Sequence, residues 1–254
     1  MYFQGGKTMP SVYLSPSTQE NNLYVTGGTE EYYMNLVADA VEPYLEASDI
    51  DFGRNTPDMT AASSIRQGNA GGYDLYLAIH SNASPDRIYG QLMGTDVFYY
   101  PTSRNGKRFA QIIADNFKEI YPYPELVDIR ATTALGEVRQ PTMPSVLVEV
   151  AYHDNEDDAN WIIDNIGTIG RALAESVAEY FGVPFVNPIT GQIGTVNISG
   201  GSLNIRRNPS LTAPIIARAY SGEKVQVLGE DGEWYRVNYG GREGYAAKRY
   251  IVLN

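Results

Sequence analysis

The sequence predicts an α/β fold, a central sheet flanked by helices, with a small all-β barrel behind it. Three features carry this. Residues 74–79 and 145–150 are apolar runs of the kind buried on both faces of a sheet. Longer segments around them repeat apolar residues at helical spacing. From residue 195 onward the pattern changes to short β runs joined by glycines, which reads as a barrel.

Residues 1–5 have the form of a cleavable purification-tag remnant, so residues 1–8 are set outside the fold and Met9 is taken as the natural start. Residues 11–14 predict a first strand, broken by Pro16 and a polar loop. After the glycines Gly27 and Gly28, Thr29 predicts an N-cap for a helix over 30–47. The buried stripe of that helix is read as Leu36, Val37, Ala40, Val41 and Tyr44. Glu30 and Glu31 both suit the positive end of its dipole. Residues 51–59 read as a connection and 60–69 as a short helix. The strand over 74–79 ends at His80. A further strand over 94–100 is stopped by Pro101. Residues 105–121 form an amphipathic helix with Phe109, Ile112, Ile113 and Phe117 inside, stopped by Pro122 and Pro124. Residues 127–140 read as two short strands or a hairpin about Gly136. The strand over 145–150 follows, then a pair of helices that closes the domain at about Phe181. Residues 185–194, rich in Pro and Gly, read as a linker between domains at 9–184 and 195–254. The second domain has about 60 residues and no cysteine, near the lower limit for independent stability.

Composition excludes several classes. Without cysteine there are no disulfides and no thiolate chemistry, and a zinc site can draw only on His, carboxylate, amide oxygen and water. No apolar run reaches the roughly 18 residues of a membrane span. The net charge of −11 argues against nucleic acid. It is unevenly split, −14 over residues 1–184 and +3 over 185–254. A basic C-terminal part suits an anionic surface, although ordinary surface variation gives the same split. A monomer is expected.

Within the first domain two positions carry chemistry. Glu149 is a carboxylate inside an apolar strand, costly to bury without a partner or a shifted pKa; the other reading is a Glu at an exposed strand end tied to an Arg. His80 stands at the carboxyl end of its strand, where ligands bind in open α/β sheets. The chain has only two histidines, His80 and His153, and His153 follows Glu149 by four residues. Two strand ends bearing Glu and His make a better site hypothesis than either alone.

Taken in order, the helix start at 31–36 (Glu31, Asn35, Leu36), residues 79–83 around His80, and residues 144–150 around Glu149 resemble the zinc-dependent N-acetylmuramoyl-L-alanine amidases of the bacterial cell wall. Residues 195–254 resemble a bacterial SH3 domain, through residues 203–206, Pro209 and Ser210, residues 222–225, residues 232–237 around Trp234, and Gly244 with Tyr245. The resemblance implies a mixed sheet with Zn2+ over the strand ends, Glu31 and His80 as metal ligands, and Glu149 as the catalytic carboxylate. The substrate it implies is the amide between the lactyl group of N-acetylmuramic acid and L-alanine of the peptidoglycan stem peptide, so the partners are the glycan strand and its peptide. The place of action is the cell wall, outside the cell, by an export route that the sequence does not show. The family usually has a Gly-His-Gly-Gly type loop after the first strand, which supplies a further His. Here Ser15, Pro16, Ser17, Thr18 and Gln19 stand there instead. The Gln19 amide oxygen is the first candidate for that ligand, His153 the second, and the shorter Thr18 hydroxyl a poorer one. An amide oxygen binds zinc more weakly than imidazole, so lower affinity is expected. His153 or Arg139 is expected to help stabilise the oxyanion. Two other readings stay open: a catalytically weak or inactive wall-binding protein on the same fold, and a metal-dependent hydrolase of another amide.

Overall fold

The structure, a computed structural model, describes residues 9–253; the proposed tag remnant at 1–8 lies outside the described residues. The chain divides into two compact units after Val183.

The first unit is built on a six-stranded sheet. Its strands are β1 (Ser11–Pro16), β2 (Asp51–Arg54), β3 (Leu75–Asn82), β4 (Thr95–Tyr99), β5 (Val127–Ala131) and β6 (Ser145–Tyr152), in the order β2-β1-β3-β6-β4-β5. All neighbours run parallel except β4 and β6, so the sheet is mixed. The helices are α1 (Glu30–Ala47), α2 (Ala61–Gly71), α3 (Arg104–Lys118), α4 (Gly136–Arg139), α5 (Glu156–Asp164) and α6 (Ile166–Phe181). The central strands β3 and β6 bury residues on both faces, Leu75 to Ile79 in one and Val146 to Val148 in the other, as their unbroken apolar runs require. Both extend beyond the expected run, so His80, expected at the end of its strand, lies inside it, and Glu149 lies inside β6 as expected.

Helix α1 begins where its cap places it: the Thr29 side chain accepts from Tyr32 N at 3.1 Å. Its buried side is Met34, Val37, Ala38, Val41 and Leu45; Leu36, Ala40 and Tyr44 are only partly covered. α1 packs closely on α6, where a Cβ at Gly170 would meet the Ala40 Cβ at 2.5 Å. Two expectations for this unit change. The connection at 51–59 begins with the edge strand β2, too short for periodicity to mark. Residues 127–140 contain one strand and the single helical turn α4, not a hairpin.

The second unit is an antiparallel seven-stranded sheet in the order β13-β7-β10-β11-β12-β8-β9. The strands are β7 (Asn187–Val196), β8 (Leu203–Arg206), β9 (Ile215–Ala219), β10 (Lys224–Asp231), β11 (Trp234–Tyr239), β12 (Arg242–Ala247) and β13 (Ile251–Leu253). It closes on its own core of Val196, Leu203, Ile205, Val225, Val227, Val237 and Ile251. Here the expected linker at 185–194 is corrected. Most of it is β7, paired with β10 and β13. Pro188, which has no N–H to give, sits opposite Gly229 just past the register shift in β10. A Cβ at Gly229 would come within 2.6 Å of Asn187 O, so only glycine lets the strands approach there. Among the described residues no helix is long and apolar enough to cross a membrane.

Candidate active site

His80 on β3 and Glu149 on β6 are in register on adjacent parallel strands, and Asp96 on β4 continues the row. Paired residues of neighbouring strands leave the same face of a sheet, so the sheet itself brings the imidazole beside the carboxylate. Three other segments complete the cluster. The loop after β1 supplies Gln19, the first residue of α1 supplies Glu30, and the turn α4 supplies Glu137.

Three polar atoms converge. Glu30 Oε1 lies 2.9 Å from His80 Nδ1, and the Gln19 amide terminus lies 3.4 Å from each. The other edge of the imidazole is engaged too, with His80 Nε2 2.9 Å from Glu137 Oε2. Glu30 is buried, and its second oxygen accepts from Asn22 Nδ2 at 2.6 Å. Glu149 is different: its Oε2 is buried with no hydrogen-bond partner.

The electrostatics follow from this packing. Burial pushes the Glu149 carboxyl up to about 7; the Glu30, Asp96 and Glu137 carboxylates add to the rise, and His80 opposes it. Burial alone would lower His80, but the hydrogen bonds to Glu137 and Glu30 outweigh it and hold the imidazole well above its ordinary value. Burial likewise works against the Glu30 charge, yet the bonds from His80, Asn22 and Ser17 keep its carboxyl low.

The donor set fits a divalent cation of moderate affinity. Among the described residues no group of three His, Cys, Asp or Glu side chains is placed to hold a metal ion, so a third protein donor has to be of another type. Gln19 is that type. Rotating its amide by half a turn puts Oε1 where Nε2 stands. The three separations of 2.9, 3.4 and 3.4 Å are close to the roughly 3.3 Å edge of a tetrahedron with bonds of about 2.0–2.1 Å. Glu149 stands next to this triangle as a carboxylate free to accept a proton. The cleft over these groups is about 390 Å3 and is lined by Thr18, Gln19, Met59, Thr60, Leu135 and Glu137 along with His80 and Glu149.

The structure thus gathers Gln19, His80 and Glu149. Of the acidic residues at the start of α1, it is Glu30, not the expected Glu31, that is hydrogen-bonded to His80 and Gln19. Consecutive helical residues are turned by about 100°, so only one of the two can face His80. The helix phase is fixed by the loop before it, where Glu30 N donates to Asn22 O at 2.9 Å and Leu23 bridges Thr29. His153 is buried, but its Nδ1 faces Ser81 O at 2.9 Å and Ser81 Oγ at 3.0 Å, and its ring stacks on Tyr24 at 5.3 Å. Those contacts make it a staple between β3 and the loop before α1, with no hydrogen bond to Glu30, His80 or Glu149 among the described residues. Thr18 lines the cleft, and Arg139 is exposed at the end of α4. Glu137 is the residue that sequence reasoning missed. Its only signal was a carboxylate four residues after an Ala-Thr-Thr stretch, which resembles many surface turns.

Both units resemble known proteins. Residues 17–179 match the N-acetylmuramoyl-L-alanine amidase family, and residues 201–252 match the bacterial SH3 domain. An uncharacterized protein of Clostridium perfringens, CPE1502, is 29% identical over 168 residues; the match takes in 62% of this chain and 49% of that protein, so the chain spans about half the length of this relative. Among solved structures, the amidase AmiC2 of Nostoc punctiforme superposes with a TM-score of 0.60 at 17% identity, over 70% of this chain and 99% of that one. The catalytic domain of the amidase CwlV from Bacillus (Paenibacillus) polymyxa gives a TM-score of 0.60 at 21% identity, over 69% and 99%. With its family match covering most of the first unit and extending over more than half of its length, the chain belongs to the N-acetylmuramoyl-L-alanine amidase family.

Proposed function

We propose that the chain hydrolyses the amide between N-acetylmuramic acid and L-alanine in peptidoglycan, with Zn2+ held by Gln19, Glu30 and His80 and with Glu149 as the catalytic carboxylate. The observation that carries this reading is the convergence of those three donors beside a buried carboxylate oxygen that nothing else satisfies. Bound zinc supplies a water of lowered pKa and a Lewis acid for the scissile carbonyl.

The chain's own residues do the rest. Glu149, raised to about 7 by burial, is matched to proton transfer near neutral pH. Its Oε2 takes a proton from the attacking water and passes it to the departing L-alanine nitrogen. The products are a lactyl carboxylate on the sugar and a free L-alanine amine on the peptide. The cleft beside α2 and α4 accommodates the glycan and peptide on either side of the bond.

The second unit serves as a wall anchor. Supporting this are its net charge of +3 and a groove of about 370 Å3 lined by Trp234, Tyr250, Leu211, Arg206 and Arg249. Action at the cell wall, outside the cell, follows from the substrate. A weak or inactive wall-binding protein is the second reading, and the neutral third donor favours it, since an amide oxygen holds zinc less firmly than imidazole.

Digestion of purified peptidoglycan by the full chain tests the proposal. New L-alanine amino termini that appear with zinc and vanish with chelator are expected. Zinc uptake without new termini supports the binding protein instead, and cleavage at another amide overturns the substrate.

A further inference from the structure

Glu137 belongs to no motif identified in the sequence, yet it is among the most fully engaged carboxylates in the first unit. It is buried, and its two oxygens divide their work. Oε1 accepts from Ser15 Oγ at 2.6 Å and from Tyr76 Oη at 2.9 Å. Ser15 Oγ itself receives Asn55 Nδ2 at 3.5 Å, which leaves the Ser15 proton for Glu137. Oε2 faces His80 Nε2 at 2.9 Å. The turn that carries Glu137 is pinned from behind by Ser145 Oγ, which donates to Val138 O at 2.8 Å. Strands β1, β3 and β6 therefore all help fix the position of this one carboxylate.

With two hydroxyls already donating to it, Glu137 is an acceptor, and His80 Nε2 must carry the hydrogen between them. The unprotonated edge of the neutral imidazole is then Nδ1, which faces Glu30 Oε1 and the Gln19 amide. In the metal-free chain Nδ1 carries a second proton and donates it to Glu30 Oε1 at 2.9 Å. A cation at the shared point takes the place of that proton and leaves Nε2–H on Glu137. Histidines that bind metals commonly donate their other N–H to a carboxylate in this manner, which fixes the tautomer and raises the basicity of the ligand nitrogen.

We infer that Glu137 is the positioning residue of the metal site, holding His80 in the Nε2–H tautomer and in the one orientation that turns Nδ1 toward Glu30 and Gln19. The inference rests on the zinc reading proposed above and goes beyond it, because it assigns a role to a residue outside the ligand set. A purely structural role for Glu137 would affect folding but leave metal affinity and the His80 tautomer unmoved.

Two measurements on the full chain separate these. The first is zinc affinity by chelator competition for the wild type, Glu137→Ala and Glu137→Gln. The alanine variant is expected to bind about 10- to 100-fold more weakly. The glutamine variant keeps an oxygen for Nε2–H and an amide that donates to Ser15 and Tyr76, so it should recover most of that loss. The second is the 15N spectrum of the His80 ring in the zinc-loaded wild type, where the hydrogen is expected on Nε2. A folded alanine variant with wild-type affinity, or a His80 hydrogen on Nδ1, overturns the inference. If the alanine variant does not fold, the glutamine variant and the wild-type spectrum decide alone. A wild-type chain that takes up no zinc sinks the metal reading itself, whereas zinc binding indifferent to Glu137 sinks only this inference.

Discussion

Glu30 Oε1 sits 2.9 Å from His80 Nδ1, while the next residue, Glu31, contributes to the structure through its backbone carbonyl, which accepts from Asn35 Nδ2 at 2.8 Å. A single residue of helix phase separates the proposed metal ligand from its neighbour. Glu30→Gln is therefore expected to weaken zinc binding by at least 10-fold and to cut hydrolysis accordingly. Glu31→Gln should remain close to wild type in both. Zinc titration of the two variants side by side checks this, and equal losses would place the ligand wrongly.

The third donor gives a prediction in the opposite direction. Imidazole is the stronger zinc ligand, so Gln19→His should tighten zinc binding, and Gln19→Ala should loosen it. Competition against a chelator at fixed pH reads both. A histidine variant that binds no better than alanine would mean that the Gln19 side chain does not reach the ion.

Glu149→Gln should lower hydrolysis by about 10²- to 10⁴-fold, the usual worth of a general acid–base group, while zinc stays bound. It also has a consequence for stability. A carboxyl raised to about 7 in the folded chain binds its proton more tightly there than in the unfolded chain, whose Glu titrates near 4.3. Its contribution is thus present at low pH and lost as pH rises through about 7, a loss on the order of 3 kcal/mol. Metal-free Glu149→Gln should then melt higher than wild type at pH 8, with the gap closing near pH 4. A gap that widens on acidification contradicts the raised value.

Asp154 carries the opposite sign. Burial works against its charge, but the amides of Gly90 and Ser84 hold its carboxyl below the ordinary value, through bonds of 2.7 and 3.0 Å. Its stabilisation is present above the unfolded value and fades as pH falls through that range. Asp154→Asn should cost about 1–3 kcal/mol at neutral pH and should flatten the acid limb of the stability curve measured by urea melts.

Much of this was legible from the residues because burial dictated it. Strands β3 and β6 could be read from unbroken apolar runs, and α1 from a Thr cap followed by a periodic stripe. His80 and Glu149 could be found because each interrupts such a run with a polar group that needs a reason. What escaped depends on geometry that spacing does not encode. The choice between Glu30 and Glu31 was set by the Leu23–Thr29 bridge and by positive φ at Gly27 and Gly28, which fix where the helix starts turning. Glu137 escaped because a four-residue helix has no period, and its importance comes from partners 57 to 122 positions away. His153 misled because proximity in sequence to Glu149 said nothing of the register shift between β3 and β6 near residue 82, after which its ring meets Ser81 and Tyr24. The Pro188 region misled because proline and glycine mark a bulge in a sheet as readily as a linker.

Anomalous diffraction at the zinc edge, from crystals of the full chain grown with zinc, tests the central claim most directly. One peak is expected about 2.0–2.2 Å from Gln19 Oε1, Glu30 Oε1 and His80 Nδ1, with Glu149 beside it and uncoordinated. A peak on Glu31 or His153, or on the Nε2 edge of His80, would contradict the site described here.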